Sequence, residues 1–133
     1  LVDRTVLVPS REGWLPPGGA VSGAVDVPEG AKDVSVGVYD LSGRLLATLP
    51  LEASESGRGA FTWDGTLANG GQAAPGFYEL RPTAKVGAQA AALDALVAGR
   101  VESVSLGGDG NGSVALTVTG LGTVDLGRVR GID

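Results

Sequence analysis

The sequence predicts an all-β chain, and three observations carry that reading. Valines recur at every second position in several short runs, the period of a strand with one buried face. The 23 glycines and 7 prolines fall between those runs without a fixed repeat, which places turns there and excludes collagen-like order. The stretch richest in helix formers, "AQAAALDALVAGR" at residues 88–100, lies beside Gly87, contains Gly99 and has no capping box, so it reads as irregular chain and strand.

The elements follow in order. "VDRTVLV", residues 2–8, is a β-branched strand stopped at Pro9, where a ladder loses a donor, and "PSREGWLPPGG" then breaks regular structure. Val21, Gly23, Val25 and Val27 share one face of the next strand, with Ser22, Ala24 and Asp26 opposite and a turn at Pro28–Gly30. A hairpin spans 32–51: Val34, Val36 and Val38 lie on one face with Tyr39 on the other, and Asp40–Gly43 suits a type I turn ending in a left-handed glycine, Gly43. Beyond a polar loop, Phe61, Thr62 and Trp63 form a short aromatic strand stopped by Asp64 and Gly65.

Asn69-Gly70-Gly71 reads as a turn, and Pro75-Gly76 as a type II turn opening the strand "FYELRPTA". Three alternating runs end the chain: around Val101, around Val114, Leu116 and Val118, and around Val124, Leu126 and Val129, spaced as in a small barrel. A two-sheet sandwich has a thin core, so Trp63 would fill much of it, with Phe61 on its own strand face and either Phe77 or Tyr78 arriving from the later strand.

Composition narrows the function. The 133 residues fit one ordinary domain or two very small ones. Cysteine, histidine and methionine are absent, which removes disulfides, histidine general bases, Cys/His zinc sites and the usual haem ligands. No initiator methionine is present and the chain starts inside an apolar run, so a piece of a longer protein is expected. Ten basic against 15 acidic residues give a net charge of −5, unsuited to phosphate backbones and anionic headgroups, so no nucleic-acid partner is expected. No run reaches the roughly 18 apolar residues of a membrane span, and no cleavable signal opens the chain, so neither membrane insertion nor a leader is expected.

Candidate chemical sites fail on spacing. "GGDGNGS", residues 107–113, has Gly120 where a calcium loop starting at Asp109 needs an acid, and its Asn111 sequon is explained as a hairpin turn. Lys32 and Lys85 both follow alanine, unlike a P-loop lysine. Glu52 and Glu55 read as solvated loop carboxylates, and the arginines are scattered along the chain. No cofactor or metal site is predicted. Trp14 and Leu15, beside Pro16-Pro17, are the candidate contact surface, against the plainer reading that Trp14 covers a small core.

The segments "VYDLSGRLLATL", "FTWDGTLANGGQAAPGFYEL", "GRVESVSL" and "LGRVRGI" resemble the C-terminal part of the flagellar hook-capping proteins: a hairpin with D-x-x-G, a W-D-G, an N/D-x-G turn, a P-G-x-Y strand and a later G-x-V-x-x-V. "LVDRTVLV" resembles that family's first strand, with Asp3 where glycine is more usual. The resemblance spans essentially the whole chain. It implies a Tudor-like barrel, residues 1–14 and 84–133, into which a fibronectin type III or immunoglobulin-like sandwich, residues 15–83, is inserted. Trp63, Asp64, Gly65, Gly43, Gly70, Pro75, Gly76 and Tyr78 then have structural roles. It also implies a non-enzymatic cap at the distal tip of the growing hook, reached by flagellar type III export, with hook protein as partner and a homo-oligomer in the full-length protein. Three rivals are an immunoglobulin-like appendage of a secreted enzyme or adhesin, a carbohydrate-binding sandwich with aromatics in an exposed planar row, and, last because histidine and a catalytic constellation are missing from the sequence, an enzyme.

Overall fold

The computed structural model describes residues 2–52, 57–106 and 114–132. The described chain is built from strands β1 (Thr5–Pro9), β2 (Glu12–Leu15), β3 (Val21–Asp26), β4 (Ala31–Tyr39), β5 (Leu45–Pro50), β6 (Arg58–Trp63), β7 (Gly76–Val86), β8 (Gln89–Ala92), β9 (Ala95–Leu106), β10 (Val114–Val118), β11 (Gly122–Asp125) and β12 (Gly131–Ile132). One 3-10 turn, Leu126–Arg128, precedes β12.

The strands form two sheets. One runs β2-β7-β4-β5, with β8 also paired to β7; the other runs β11-β10-β9-β1-β12, with β3 joining β9 to β6. All pairings are antiparallel, and the alternation of valines sets their register. Val34, Val36 and Val38 point inward from β4, as the hairpin reading requires.

Two apolar cores result. The first gathers Leu15, Val21, Val25, Val36, Val38, Phe61, Trp63, Tyr78, Leu80 and Val97 between the sheets. The second gathers Val6, Val8, Val101, Leu116, Val118 and Val124. Strand β9 serves both from one face, because residues of equal parity share a side: Ala95 and Val97 lie in the first core and Val101 in the second. Its partner changes along its length, from β3 at Ala95–Val97 to β10 at Val101–Leu106. Gly99 sits at this junction, where a Cβ would press on the Val118 methyl, so the absence of a side chain lets β10 close onto β9.

Three expectations are corrected. Residues 12–15 form strand β2, paired to β7, although four residues beside Pro16-Pro17 are too few to display a period. Leu126 does not continue a strand: the Asp125 carboxylate accepts from the Gly127 amide at 2.8 Å and turns the chain into the 3-10 segment. Pro75-Gly76 is not a type II turn, since Gly76 has φ +149°, far from the value near +80° that such a turn needs, and enters β7 directly. Residues 107–113, including Asn111, and Glu55 lie outside the described residues.

Candidate functional site

The W-D-G segment leads from the first core into a loop of polar chemistry. The Asp64 carboxylate accepts from the Thr66 amide at 3.0 Å and from its hydroxyl at 2.6 Å. The Thr66 hydroxyl and then its amide hold the Asp64 carboxyl below its ordinary value. Gly65 turns the chain at φ +92°, and a Cβ there would meet Leu15 Cδ2 at 3.1 Å. Gly70, at φ +86°, closes the next turn through its amide to the Leu67 carbonyl at 2.9 Å, while the Gly71 amide donates to Asn69 Oδ1 at 2.8 Å.

The β4–β5 hairpin repeats the same device. Asp40 accepts from the Ser42 hydroxyl at 2.6 Å and from the Ser42 and Arg44 amides at 3.0 Å, and Gly43 follows at φ +91°. The Ser42 hydroxyl and the Arg44 amide are the chief causes that lower the Asp40 carboxyl.

The aromatic residues separate into two groups. Trp63, Phe61 and Tyr78 are buried in the first core, with Tyr78 rather than Phe77 supplying the ring from β7. Trp14 and Phe77 sit on the outer face of β2 and β7, 37% and 45% exposed, opposite one another in the ladder. Their rings meet edge-on at 4.9 Å with 61° between planes, which is not the coplanar row that the carbohydrate rival requires. Leu15, expected beside Trp14 on the surface, is 2% exposed. Successive strand residues point to opposite faces, so exposing Trp14 sends Leu15 into the core, and Phe77 takes its place in the outer pair.

Around this pair the outer face is charged. Glu12 lies opposite Glu79, Glu79 is held by the Arg81 guanidinium, and Arg81 stacks 4.0 Å over the Tyr39 ring. The Arg81 hydrogen bond lowers the Glu79 carboxyl, and the same bond raises Arg81. The sequence singled out Trp14 for the surface, offered Phe77 only as an alternative to Tyr78 for the core, and did not single out Glu12 or Glu102; the P-G-x-Y run and strand alternation together could have put Phe77 outward.

A cleft of about 540 Å³ lies beside Phe77, lined by Glu12, Glu102, Thr117 and Leu121. A second cleft, about 580 Å³, is lined by Arg11, Arg81 and Arg128 with Glu79 and Asp94. Among the described residues no group of three His, Cys, Asp or Glu side chains could hold a metal ion, and no helix is long and apolar enough to cross a membrane.

Comparison with known proteins follows the whole chain. The sequence profile of the FlgD Ig-like domain matches residues 16–91. The basal-body rod modification protein FlgD of Escherichia coli is 31% identical over 81% of this chain and 46% of its own, and that of Salmonella typhimurium is 30% identical over 99% and 59%. The chain thus spans about half the length of these curated relatives. The crystal structure of FlgD from Xanthomonas campestris, described for its insights into hook capping essential for flagellar assembly, superposes with a TM-score of 0.86 at 34% identity, covering 99% of this chain and 94% of that one. The crystal structure of FlgD from P. aeruginosa gives a TM-score of 0.78 at 27% identity, covering 100% of this chain and 98% of that one.

Proposed function

From a chain that belongs to the FlgD family, we propose the role of a non-enzymatic part of a flagellar hook cap, acting at the distal end of the growing hook with hook protein as its partner. The observation that carries this reading is the match to Xanthomonas FlgD over 99% of the chain at 34% identity. That protein's description ties it to hook capping.

The physics of the surface is compatible with such a role. A cap must hold incoming subunits near their site and then move on as the structure lengthens, which favours weak, renewable contacts over a large apolar interface. The exposed apolar residues of the described surface lie in small groups, Trp14 with Phe77 and Val104 with Leu106 at alternate positions of β9 among them. In the full-length protein we expect a homo-oligomer, since a cap must cover a tubular end.

An immunoblot for hook protein in cells and medium tests the reading. A strain lacking the full-length gene should lose hook protein to the medium without assembled hooks, and the intact gene should restore them. Normal hooks in the deletion strain would overturn it in favour of an immunoglobulin-like module of another secreted protein.

A further inference from the structure

Both asparagines of the sequence, Asn69 and Asn111, are followed by glycine, and Asn69 lies among the described residues in the loop between β6 and β7. An Asn-Gly junction carries its own chemistry: the glycine nitrogen can attack the asparagine side-chain amide, and no glycine side chain shields that nitrogen. Asn69 and Gly70 are exposed, so water and hydroxide reach them, and a Cβ added at Gly70 would meet nothing within 4 Å.

The folded turn prepares one reactant and withholds the other. The Gly71 amide donates to Asn69 Oδ1 at 2.8 Å, where charge would develop in a tetrahedral intermediate, so the electrophilic Cγ is polarised. The Gly70 amide, whose nitrogen is the nucleophile, donates to the Leu67 carbonyl at 2.9 Å and is held there. The bond from the Leu67 amide to the Gly71 carbonyl, also 2.9 Å, and the Thr66–Gln72 bridge close the turn behind it. Gln72 Nε2 braces the same turn by donating to the Asp64 carbonyl at 2.7 Å. Attack therefore requires the Gly70–Leu67 bond to open, the same event that exposes the Gly70 proton to exchange with solvent.

We propose that Asn69 is a deamidation site held closed by its own turn, with the Gly70–Leu67 hydrogen bond as the gate. Once the gate opens, base removes the Gly70 amide proton and the nitrogen bonds to Asn69 Cγ. The Cγ–Nδ2 bond then breaks, and ammonia leaves with a proton taken from water. Nothing is oxidised or reduced. A second water opens the cyclic imide at either carbonyl, leaving an aspartate at position 69 or an isoaspartyl link. Either product adds a negative charge to a chain of net charge −5. The isoaspartyl link also lengthens the main chain by a methylene, in a turn whose closing bonds depend on that length. This chemistry is independent of the hook-assembly reading.

The test follows the intact chain in mildly alkaline buffer by tryptic mapping and mass spectrometry, beside the peptide acetyl-Leu-Ala-Asn-Gly-Gly-Gln-amide and the urea-unfolded chain. Cleavage at Arg58, Lys85, Arg100 and Arg128 separates Asn69 from Asn111, and fragment ions distinguish Asn69 from Gln72. The folded chain should deamidate at Asn69 about tenfold more slowly than the peptide, and the unfolded chain at about the peptide's rate. Hydrogen exchange in the same buffer should show the Gly70 amide protected, with deamidation slowed by no more than that protection. Gln72→Ala, shown by circular dichroism to stay folded, should raise Gly70 exchange and Asn69 deamidation together, whereas Glu12→Gln should change neither. An unprotected Gly70 amide, deamidation of the folded chain at the peptide's rate, or none in the unfolded chain would each overturn the proposal. So would slowing far beyond the Gly70 protection, or faster Gly70 exchange in Gln72→Ala without faster deamidation.

Discussion

The Trp63 indole meets the Tyr78 ring edge-on, with centroids 5.0 Å apart and 76° between planes. Each ring also holds the intervening loop by its polar tip. Trp63 Nε1–H donates to the Thr66 carbonyl at 2.9 Å, and the Tyr78 hydroxyl donates to the Ala74 carbonyl. The loop between β6 and β7 is therefore fastened at both ends to the first core, and burial of the rings fixes the turns that carry Asp64, Gly65 and Gly70.

Separate substitutions should resolve the two halves of this arrangement. Trp63→Ala removes a buried ring and is expected to cost about 3–5 kcal/mol in urea unfolding followed by circular dichroism. Tyr78→Phe keeps the ring and removes only the hydroxyl, so about 1 kcal/mol is expected. A double-mutant cycle between Trp63→Ala and Tyr78→Ala should return a coupling of about 0.5–1.5 kcal/mol. An unchanged unfolding midpoint for Trp63→Ala would show that the ring is not a central core element.

The two aspartate turns should make part of the stability pH-dependent. Hydrogen bonds hold Asp40 and Asp64 below the ordinary value of 3.8 in the folded chain, so the unfolded chain takes up protons first as pH falls. Their contribution is present in full above that ordinary value and is lost as pH drops through the lower folded values. The gap in urea midpoint between wild type and Asp64→Ala should therefore be widest near neutrality and narrow below about pH 4. A gap that is constant from neutrality into that acid range would show that the carboxylate's charge plays no part.

Asp3 makes a backbone prediction. It lies at φ +68°, a left-handed conformation that disfavours a side chain, and its carboxylate is paired with Arg100. Asp3→Gly and Asp3→Ala both lose the ion pair, so their difference isolates the backbone term. The alanine variant should be less stable than the glycine variant by about 1 kcal/mol. Equal thermal midpoints for the two would contradict the left-handed assignment.

These examples also mark what the sequence made legible. The Asp40–Gly43 hairpin and the Asn69–Gly70 turn were readable because one short polar side chain and one glycine encode each of them locally. The all-β class and the burial of Trp63 followed from alternation and ring size. The outer aromatic pair was only half visible: Trp14 stood out by composition, whereas Phe77 joins it through the β2–β7 register, a pairing across more than 60 residues. The division of β9 between two cores was not readable, because Val97 and Val101 have the same local pattern and differ only in which strand lies beside them.

Gly23 offers the sharpest test of close packing between β3, β6 and β9. It pairs with Phe61 on one side and Val97 on the other. An added Cβ would fall on the Leu96 carbonyl and within 2.7 Å and 2.8 Å of two Phe61 ring carbons. The carbonyl belongs to β9, which also pairs with β1, so it cannot retreat without disturbing that ladder as well. Gly37 is the comparison: the nearest atoms that a Cβ there would meet belong to the Tyr39 side chain, at 2.8 Å, a half-buried ring stacked under Arg81, so a side chain and not a backbone carbonyl has to give. Gly23→Ala is therefore expected to cost about 1–3 kcal/mol, and Gly37→Ala to change stability by less than about 0.5 kcal/mol, because relief of glycine's conformational entropy offsets the displaced ring. Urea midpoints of the two variants measured side by side decide the matter, and a Gly23→Ala protein as stable as Gly37→Ala would mean that β3 does not approach β9 as closely as its register requires.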